Sequence, residues 1–88
     1  MFYVYILKSE VNSSYYVGCT SDIEKRLKLH NSGQVSSTKR FTPWTMIYNE
    51  QYDNLGKARS RELQIKSWKK RSAIERLINN AAMAPTHN

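Results

Sequence analysis

The sequence predicts an α+β domain in which a small three-stranded antiparallel sheet is flanked by helices. Three short stretches are rich in aromatic and β-branched residues, which is the composition of strands. The segments after the second and third stretches place apolar residues at helical spacing. With 88 residues the chain can build one domain with a small core. We expect residues 1–80 to form that domain and residues 81–88 to be a disordered tail.

The predicted strands are residues 2–7, 15–17 and 44–52. The first strand is apolar on both faces, which is typical of a central strand with a partner on each side. The polar residues between the first two strands predict a hairpin loop. If this hairpin pairs Tyr5 with Tyr16, the two phenols lie side by side. The sequence leaves this register open, because a slip of one residue would separate them.

The first predicted helix follows Gly18, with Ser21 or Asp22 placed to cap it. Its apolar stripe contains Ile23, Leu27 and His30, and the helix ends near Gly33.

The polar residues 34–43 predict a loop, and two helices follow the third strand, at residues 57–70 and 73–79. Ser72 is the candidate cap of the last helix. The stripe of the longer helix contains Leu55, Ala58, Ile65 and Trp68.

The charge of the chain points to a polyanionic partner. Fourteen Lys and Arg residues against seven Asp and Glu residues give a net charge of +7. Nucleic acid is the first choice for such a chain, and the alternative is a basic protein whose lysines are only solvated. The candidate nucleic-acid-binding residues are Lys39, Arg40, Arg59, Lys66, Lys69, Lys70 and Arg71.

Cysteine content and hydropathy limit the compartment and the metal chemistry. Cys19 is the sole cysteine, which excludes an internal disulfide and a thiolate metal cluster. No apolar run reaches the ~20 residues needed to cross a bilayer, so we expect no membrane association. The apolar start lacks a preceding basic region, and a reducing cytoplasm is the expected location.

Glu62 is a candidate metal ligand because of where it falls on the second predicted helix. It lies four residues after Ala58 and three before Ile65, within or at the edge of the apolar stripe. A carboxylate there loses hydration and needs a cation or a metal to compensate. The alternative is an ordinary ion pair with Arg59, Arg61 or Lys66.

His30 and Arg26 are a candidate phosphate-binding pair. They lie one turn apart on the first predicted helix, and together they could bind and polarise one phosphate. The alternative for His30 is a packed, hydrogen-bonded core residue. Tyr5 and Tyr16 could act as a base only if their pKa fell well below the usual value of about 10, which a nearby arginine or metal could bring about.

The order and spacing of these residues resemble the GIY-YIG nuclease family, especially its small single-domain bacterial members. The likeness rests on YVY at residues 3–5, YVG at 16–18, the EKRLKLHN segment at 24–31, and the REL segment at 61–63. It covers about residues 2–70, and Tyr3 stands where the family name has glycine.

The resemblance implies a metal-dependent endonuclease that hydrolyses DNA phosphodiester bonds, with DNA repair or recombination as the expected setting. Tyr5, Tyr16, Arg26 and His30 would be catalytic, and Glu62 would hold Mg²⁺ or Mn²⁺. The substrate would be DNA, with single-stranded and branched forms to be tested, and a protein partner could direct the enzyme to its target. The alternatives are a non-catalytic nucleic-acid-binding module that retains the basic face and a structural adaptor with no nucleic-acid role.

Binding to DNA is expected to weaken steeply between about 50 and 200 mM salt, because each phosphate contact releases counterions. Charge reversal at Lys69, Lys70 or Arg71 should weaken binding to all sequences alike. Titration of labelled oligonucleotides at several salt concentrations measures both effects. Strong binding that does not change over this salt range would contradict the prediction.

Overall fold

The computed structural model describes residues 1–83 and confirms the predicted fold class. Three strands are present: β1 (Phe2–Ser9), β2 (Tyr15–Thr20) and β3 (Trp44–Tyr52). The three α-helices are α1 (Ile23–Asn31), α2 (Leu55–Lys66) and α3 (Arg71–Met83), and a 3₁₀ turn covers Lys39–Phe41. Within residues 1–83 no helix is long and apolar enough to span a membrane.

The sheet is antiparallel throughout, and β1 is its central strand, in the order β2-β1-β3. The register of the first hairpin differs from the pairing considered in the sequence. Tyr5 is opposite Gly18, and Tyr16 is opposite Leu7. Tyr5 and Tyr16 are therefore diagonal neighbours on the same face, and their ring centroids are 6.4 Å apart.

The two faces of β1 pack against different helices. Val4 and Ile6 belong to a core cluster with Ala58 and Ile65 of α2. Tyr5 and Leu7 belong to a second cluster, which Leu27 of α1 packs against. Because side chains alternate along a strand, α1 and α2 cover opposite faces of the sheet.

Asp22 is the N-cap of α1, since its side chain accepts the backbone N–H of Lys25 at 3.1 Å. Gly33, just past the end of this helix, has a φ of +80°, the left-handed conformation that favours glycine after a helix.

The last two helices differ from their predicted bounds. The helix α2 starts and ends earlier than expected, with Asn54 as its N-cap. Leu55, in its first turn, is 44% exposed and does not join the core. The helix α3 begins at Arg71, which places Ser72 inside it and not at its cap. It continues to Met83, so residues 81–83 of the expected tail are helical, and residues 84–88 lie outside the described part.

The loop between α1 and β3 is held at its two ends by Asn31 and Trp44. The Asn31 side chain accepts the Trp44 backbone N–H at 2.6 Å and donates to the Trp44 carbonyl at 3.0 Å. The Trp44 indole donates to the carbonyl of Thr38 at 2.9 Å. These bonds place Thr38, which is fully buried, against the end of α1.

Arg61 and Glu50 fix α2 against the sheet. Arg61 donates to the Glu50 carboxylate through Nε at 2.9 Å and through Nη2 at 3.0 Å. Such a bidentate pair has a defined geometry, and it orients the turn of α2 that also carries Glu62.

Gly18 leaves the space that Tyr5 occupies. A Cβ atom at Gly18 would overlap the hydroxyl and the ring of Tyr5, which is 2% exposed. Because Tyr5 is enclosed, its ring cannot move aside without disturbing the packing around it.

Gly18→Ala is therefore expected to destabilise the domain by about 1–3 kcal/mol, the usual cost of overpacking a core. Chemical denaturation measures this cost in the wild-type background and in Tyr5→Leu, where the overlap is relieved. Gly56→Ala is the matched control, because a Cβ there makes only ordinary contact in α2. An equal cost of Gly18→Ala in both backgrounds would show that Tyr5 is not its cause.

Candidate active site

A buried hydrogen bond joins Tyr5 of β1 to His30 of α1. The Tyr5 hydroxyl and His30 Nε2 are 2.9 Å apart, and the two ring centroids are 5.8 Å apart. His30 is fully buried, because it lies on the stripe of α1 that faces the sheet. The sequence placed these residues 25 positions apart, and the fold brings them into contact.

Tyr16 completes an aromatic cluster around this hydrogen bond. Its ring centroid is 4.9 Å from that of His30 and 6.3 Å from that of Trp44, both in edge-on geometry. Edge-on contacts of this kind stabilise aromatic pairs beyond their burial. Tyr16 therefore holds the imidazole in place from the β2 side.

Arg26 adds a positive charge beside the cluster. It lies one turn before His30 on α1, and its Nε atom is buried with no hydrogen-bond partner within residues 1–83. A buried donor that is left unpaired costs free energy, so it is well suited to a ligand that brings an acceptor. An anionic oxygen would satisfy this donor and neutralise the guanidinium charge.

Tyr5 and His30 form a neutral pair at pH 7. Burial raises the pKa of Tyr5 above its ordinary value, although the Arg26 guanidinium opposes the rise. Burial also lowers the pKa of His30, and the positive charge of Arg26 lowers it further. The lowered pKa that a tyrosine needs in order to act as a base by itself is thus absent from Tyr5.

Glu62 lies on α2, the helix that packs against the sheet face opposite to that of Tyr5. It is 8% exposed and is paired with Lys66 Nζ at 2.9 Å and with Arg59 Nε at 3.5 Å. Within residues 1–83 no hydrogen bond or ion pair joins Glu62 to Arg26 or to the aromatic cluster of Tyr5, Tyr16 and His30. Its negative charge nevertheless contributes to raising the pKa of Tyr5, so the two groups interact electrostatically.

Among the described residues at this site, Glu62 is the one carboxylate that the structure offers to a divalent cation. No group of three or more His, Cys, Asp or Glu side chains in the described residues could hold a metal ion. Mg²⁺ commonly keeps several waters and binds through one or two carboxylates plus substrate phosphates. Glu62 could supply that carboxylate, and Lys66 and Arg59 would then be released toward phosphate.

The predicted nucleic-acid-binding residues fall into two groups. Arg59 and Lys66 neutralise Glu62, and Arg71 is paired with Glu75 at 2.9 Å and lies over the Tyr15 ring. The other four are exposed and form no ion pair among residues 1–83: Lys39, Arg40, Lys69 and Lys70.

Two residues next to the cluster were missed as contributors to the site. Thr38 Oγ1 lies 2.8 Å from His30 Nδ1. The Asn31 side chain bonds the backbone of Trp44, and the Trp44 indole in turn donates to the carbonyl of Thr38. Thr38 belongs to a polar loop without periodicity, so no local pattern in the sequence marks it. Asn31 follows His30 directly, but in the sequence it indicates only that the helix ends there.

The fold and this cluster define a small α+β domain with a tyrosine–histidine–arginine site. The family model described as the GIY-YIG catalytic domain matches residues 1–77. This chain therefore belongs to the GIY-YIG family, a family of nucleases, which confirms the resemblance seen in the sequence.

Relatives with similar sequences come from several microorganisms. A UPF0213 protein of Staphylococcus saprophyticus is 36% identical over 74 residues, which cover 83% of this chain and 89% of the relative. A UPF0213 protein of Clostridium perfringens is 43% identical over 67 residues, which cover 75% of this chain and 71% of the relative. The solution structure of a UPF0213 protein from Bacillus halodurans matches with a TM-score of 0.58 and 30% identity, over 90% of this chain and 84% of that one.

Lowering the pH from about 7.5 to 5.5 is expected to destabilise the domain through His30. Its pKa is lowered on folding, so the unfolded chain, with a histidine pKa of about 6.5, binds the proton more readily. The stability contributed by neutral His30 is fully present above the unfolded pKa and is lost as the pH falls through the folded pKa.

Chemical denaturation across this pH range measures the effect. His30→Gln should remove the His30 component of the pH dependence, whereas His87→Gln, at the other histidine of the chain, should retain it. Equal slopes of stability against pH for the wild type and His30→Gln would contradict the assignment.

Proposed function

We propose that this protein is a divalent-metal-dependent endonuclease that hydrolyses phosphodiester bonds in DNA. The observation that carries the proposal is the buried Tyr5–His30 hydrogen bond beside the unpaired Nε of Arg26, in a domain of a nuclease family. This arrangement offers a proton acceptor and an anion-binding donor at one place, which phosphodiester hydrolysis requires.

Tyr5 and His30 would activate the attacking water together. The Tyr5 oxygen takes a proton from the water while the Tyr5 hydroxyl proton passes to His30 Nε2, so the phenol stays neutral overall and an imidazolium forms. The neutral state of both groups suits this role, because His30 starts the step without a proton on the accepting nitrogen. A relay of this kind needs no free phenolate before the substrate binds.

Arg26 would stabilise the negative charge that develops on the phosphate. Its buried Nε has no hydrogen-bond partner in the described residues, so this donor is available to an anionic oxygen. A donor that is already in place contributes most where charge develops in the transition state.

Glu62 would hold Mg²⁺ or Mn²⁺, which supplies Lewis-acid charge to the phosphate and to the leaving oxygen. The pairing of Glu62 with Lys66 and Arg59 shows that its carboxylate is in a cationic environment. A metal that replaces these two cations would leave them free to contact the DNA backbone.

The exposed cations would bind the rest of the substrate. Lys39 and Arg40 lie one and two residues after Thr38, and Lys69 and Lys70 lie between α2 and α3. Contacts of lysine and arginine with phosphates carry no sequence information, so target choice would depend on DNA structure or on a protein partner.

A non-catalytic nucleic-acid-binding module is the second candidate. The observation that favours it is the ion pairing of Glu62, because a carboxylate neutralised by two cations already has the compensation that a metal would supply. This candidate keeps the salt-sensitive binding but predicts no cleavage and no metal effect on stability.

Glu62→Gln separates the two candidates, because it keeps the side-chain shape and removes the charge that a metal needs. We expect cleavage of labelled single-stranded, duplex and branched DNA in Mg²⁺ or Mn²⁺ to fall by about 10²-fold or more. DNA binding should persist or tighten, since a negative charge near phosphate is gone. EDTA should abolish cleavage by the wild type.

Glu75→Gln is the matched control, because it also breaks an ion pair with an arginine but lies on α3, outside the cluster. It should cleave like the wild type. Thermal melting should rise with Mn²⁺ for the wild type and for Glu75→Gln but not for Glu62→Gln. A wild type whose melting ignores the metal, with a Glu62→Gln variant that cuts DNA, would contradict the mechanism.

A further inference from the structure

We propose that Thr38 is a positioning residue that sets the tautomer of His30, so that Nε2 carries no proton and accepts the Tyr5 hydroxyl. This inference deepens the proposed function and rests on it for its catalytic meaning. The tautomer itself is a property of the folded protein and can be measured without any cleavage assay.

The geometry around the imidazole leads to this assignment. His30 Nδ1 is 2.8 Å from Thr38 Oγ1, and both residues are fully buried. Thr38 Oγ1 also lies 3.4 Å from the carbonyl oxygen of Val35, which can only accept a hydrogen bond. When the hydroxyl proton points to Val35, the Thr38 oxygen has a lone pair for the Nδ1–H of His30.

The tautomer on one side of the ring decides the hydrogen bond on the other side. With a proton on Nδ1, neutral His30 has a free lone pair on Nε2, which accepts the Tyr5 hydroxyl at 2.9 Å. In the opposite tautomer Nε2–H would donate to the Tyr5 oxygen. The Tyr5 hydroxyl proton would then have no acceptor on His30, and Tyr5 could not pass it on when it deprotonates water.

Thr38 is held rigidly enough to impose this choice. Its backbone N–H donates to Val35 at 3.0 Å, and its carbonyl accepts the Trp44 indole at 2.9 Å. Trp44 is held in turn by the side chain of Asn31, the residue after His30. The histidine and the threonine that orients it are thus fixed by the same end of α1.

If Thr38 had a purely structural role, it would give the buried His30 a hydrogen-bond partner but would not determine which ring nitrogen carries the proton. The two roles differ in the protonation of the individual ring nitrogens, which ¹⁵N NMR reports directly. The chain contains one other histidine, His87, so a His87→Gln background leaves His30 as the sole imidazole.

In this background at pH 7.5 we expect His30 to be protonated on Nδ1 and not on Nε2. Thr38→Ser keeps the hydroxyl and should retain this tautomer. Thr38→Val has nearly the same shape but cannot accept a hydrogen bond, so the proton should move to Nε2. Thr38→Ala is measured as well, because a valine methyl facing a buried imidazole could prevent folding.

In cleavage assays Thr38→Val or Thr38→Ala should lower kcat by about 10²-fold with little change in KM, since the lost function is proton transfer and not binding. Thr38→Ser should stay close to the wild type. Ser37→Ala is the matched control, because it removes a hydroxyl from the adjacent, exposed position of the same loop.

A wild type with its proton on Nε2 would overturn the assignment, and so would Thr38→Val and Thr38→Ala variants that keep the Nδ1–H tautomer. Full kcat in a variant whose tautomer has moved would overturn the positioning role. If the wild type holds the Nδ1–H tautomer and the variants lose it while no DNA is cleaved, the tautomer assignment stands and the endonuclease function fails.

Discussion

The Tyr5 hydroxyl reaches His30 only because the residue opposite Tyr5 on β2 has no side chain. Gly18 leaves the space into which the phenol extends, and a Cβ there would overlap the Tyr5 hydroxyl. In this register Tyr16 lies diagonally from Tyr5 on the same face, and the Tyr5 oxygen reaches His30 of α1. The hydrogen-bonded centre of the site is thus part of the core that holds β1 to α1.

Burial keeps the centre of this site uncharged and moves the charges to its edge. Tyr5 and His30 are neutral because desolvation shifts their pKa values away from the charged forms. Arg26 supplies positive charge on the α1 side, and Glu62 with its two cations supplies compensated negative charge on the α2 side. A metal-bound phosphate would match this charge distribution, because the negative phosphate would pair with Arg26 and the metal cation with the Glu62 carboxylate.

Local patterns in the sequence predicted the structural features that depend on residues close together in the chain. The three strands follow from composition, and the cap at Asp22 is one of the two candidates that the sequence offered. The burial of His30 and the ion pairing of Glu62 match the alternatives that the sequence left open. The hairpin register could not be predicted, because it depends on how Tyr5 packs across the sheet. The role of Thr38 could not be predicted either, because its loop has no periodicity and is placed by hydrogen bonds to Trp44.

The central claim is that Glu62 and the Tyr5–His30 pair serve one site, although the helices α2 and α1 that carry Glu62 and His30 cover opposite faces of the sheet. Paramagnetic broadening by Mn²⁺, measured by NMR with a non-cleavable oligonucleotide bound, tests this most directly. The account predicts that the strongest broadening falls on Glu62, on Tyr5 and on Cys19, whose thiol senses the Glu62 charge, and that Glu75 on α3 is broadened least. Broadening centred on Glu50 or Glu75, or confined to Glu62 without Tyr5, would contradict it.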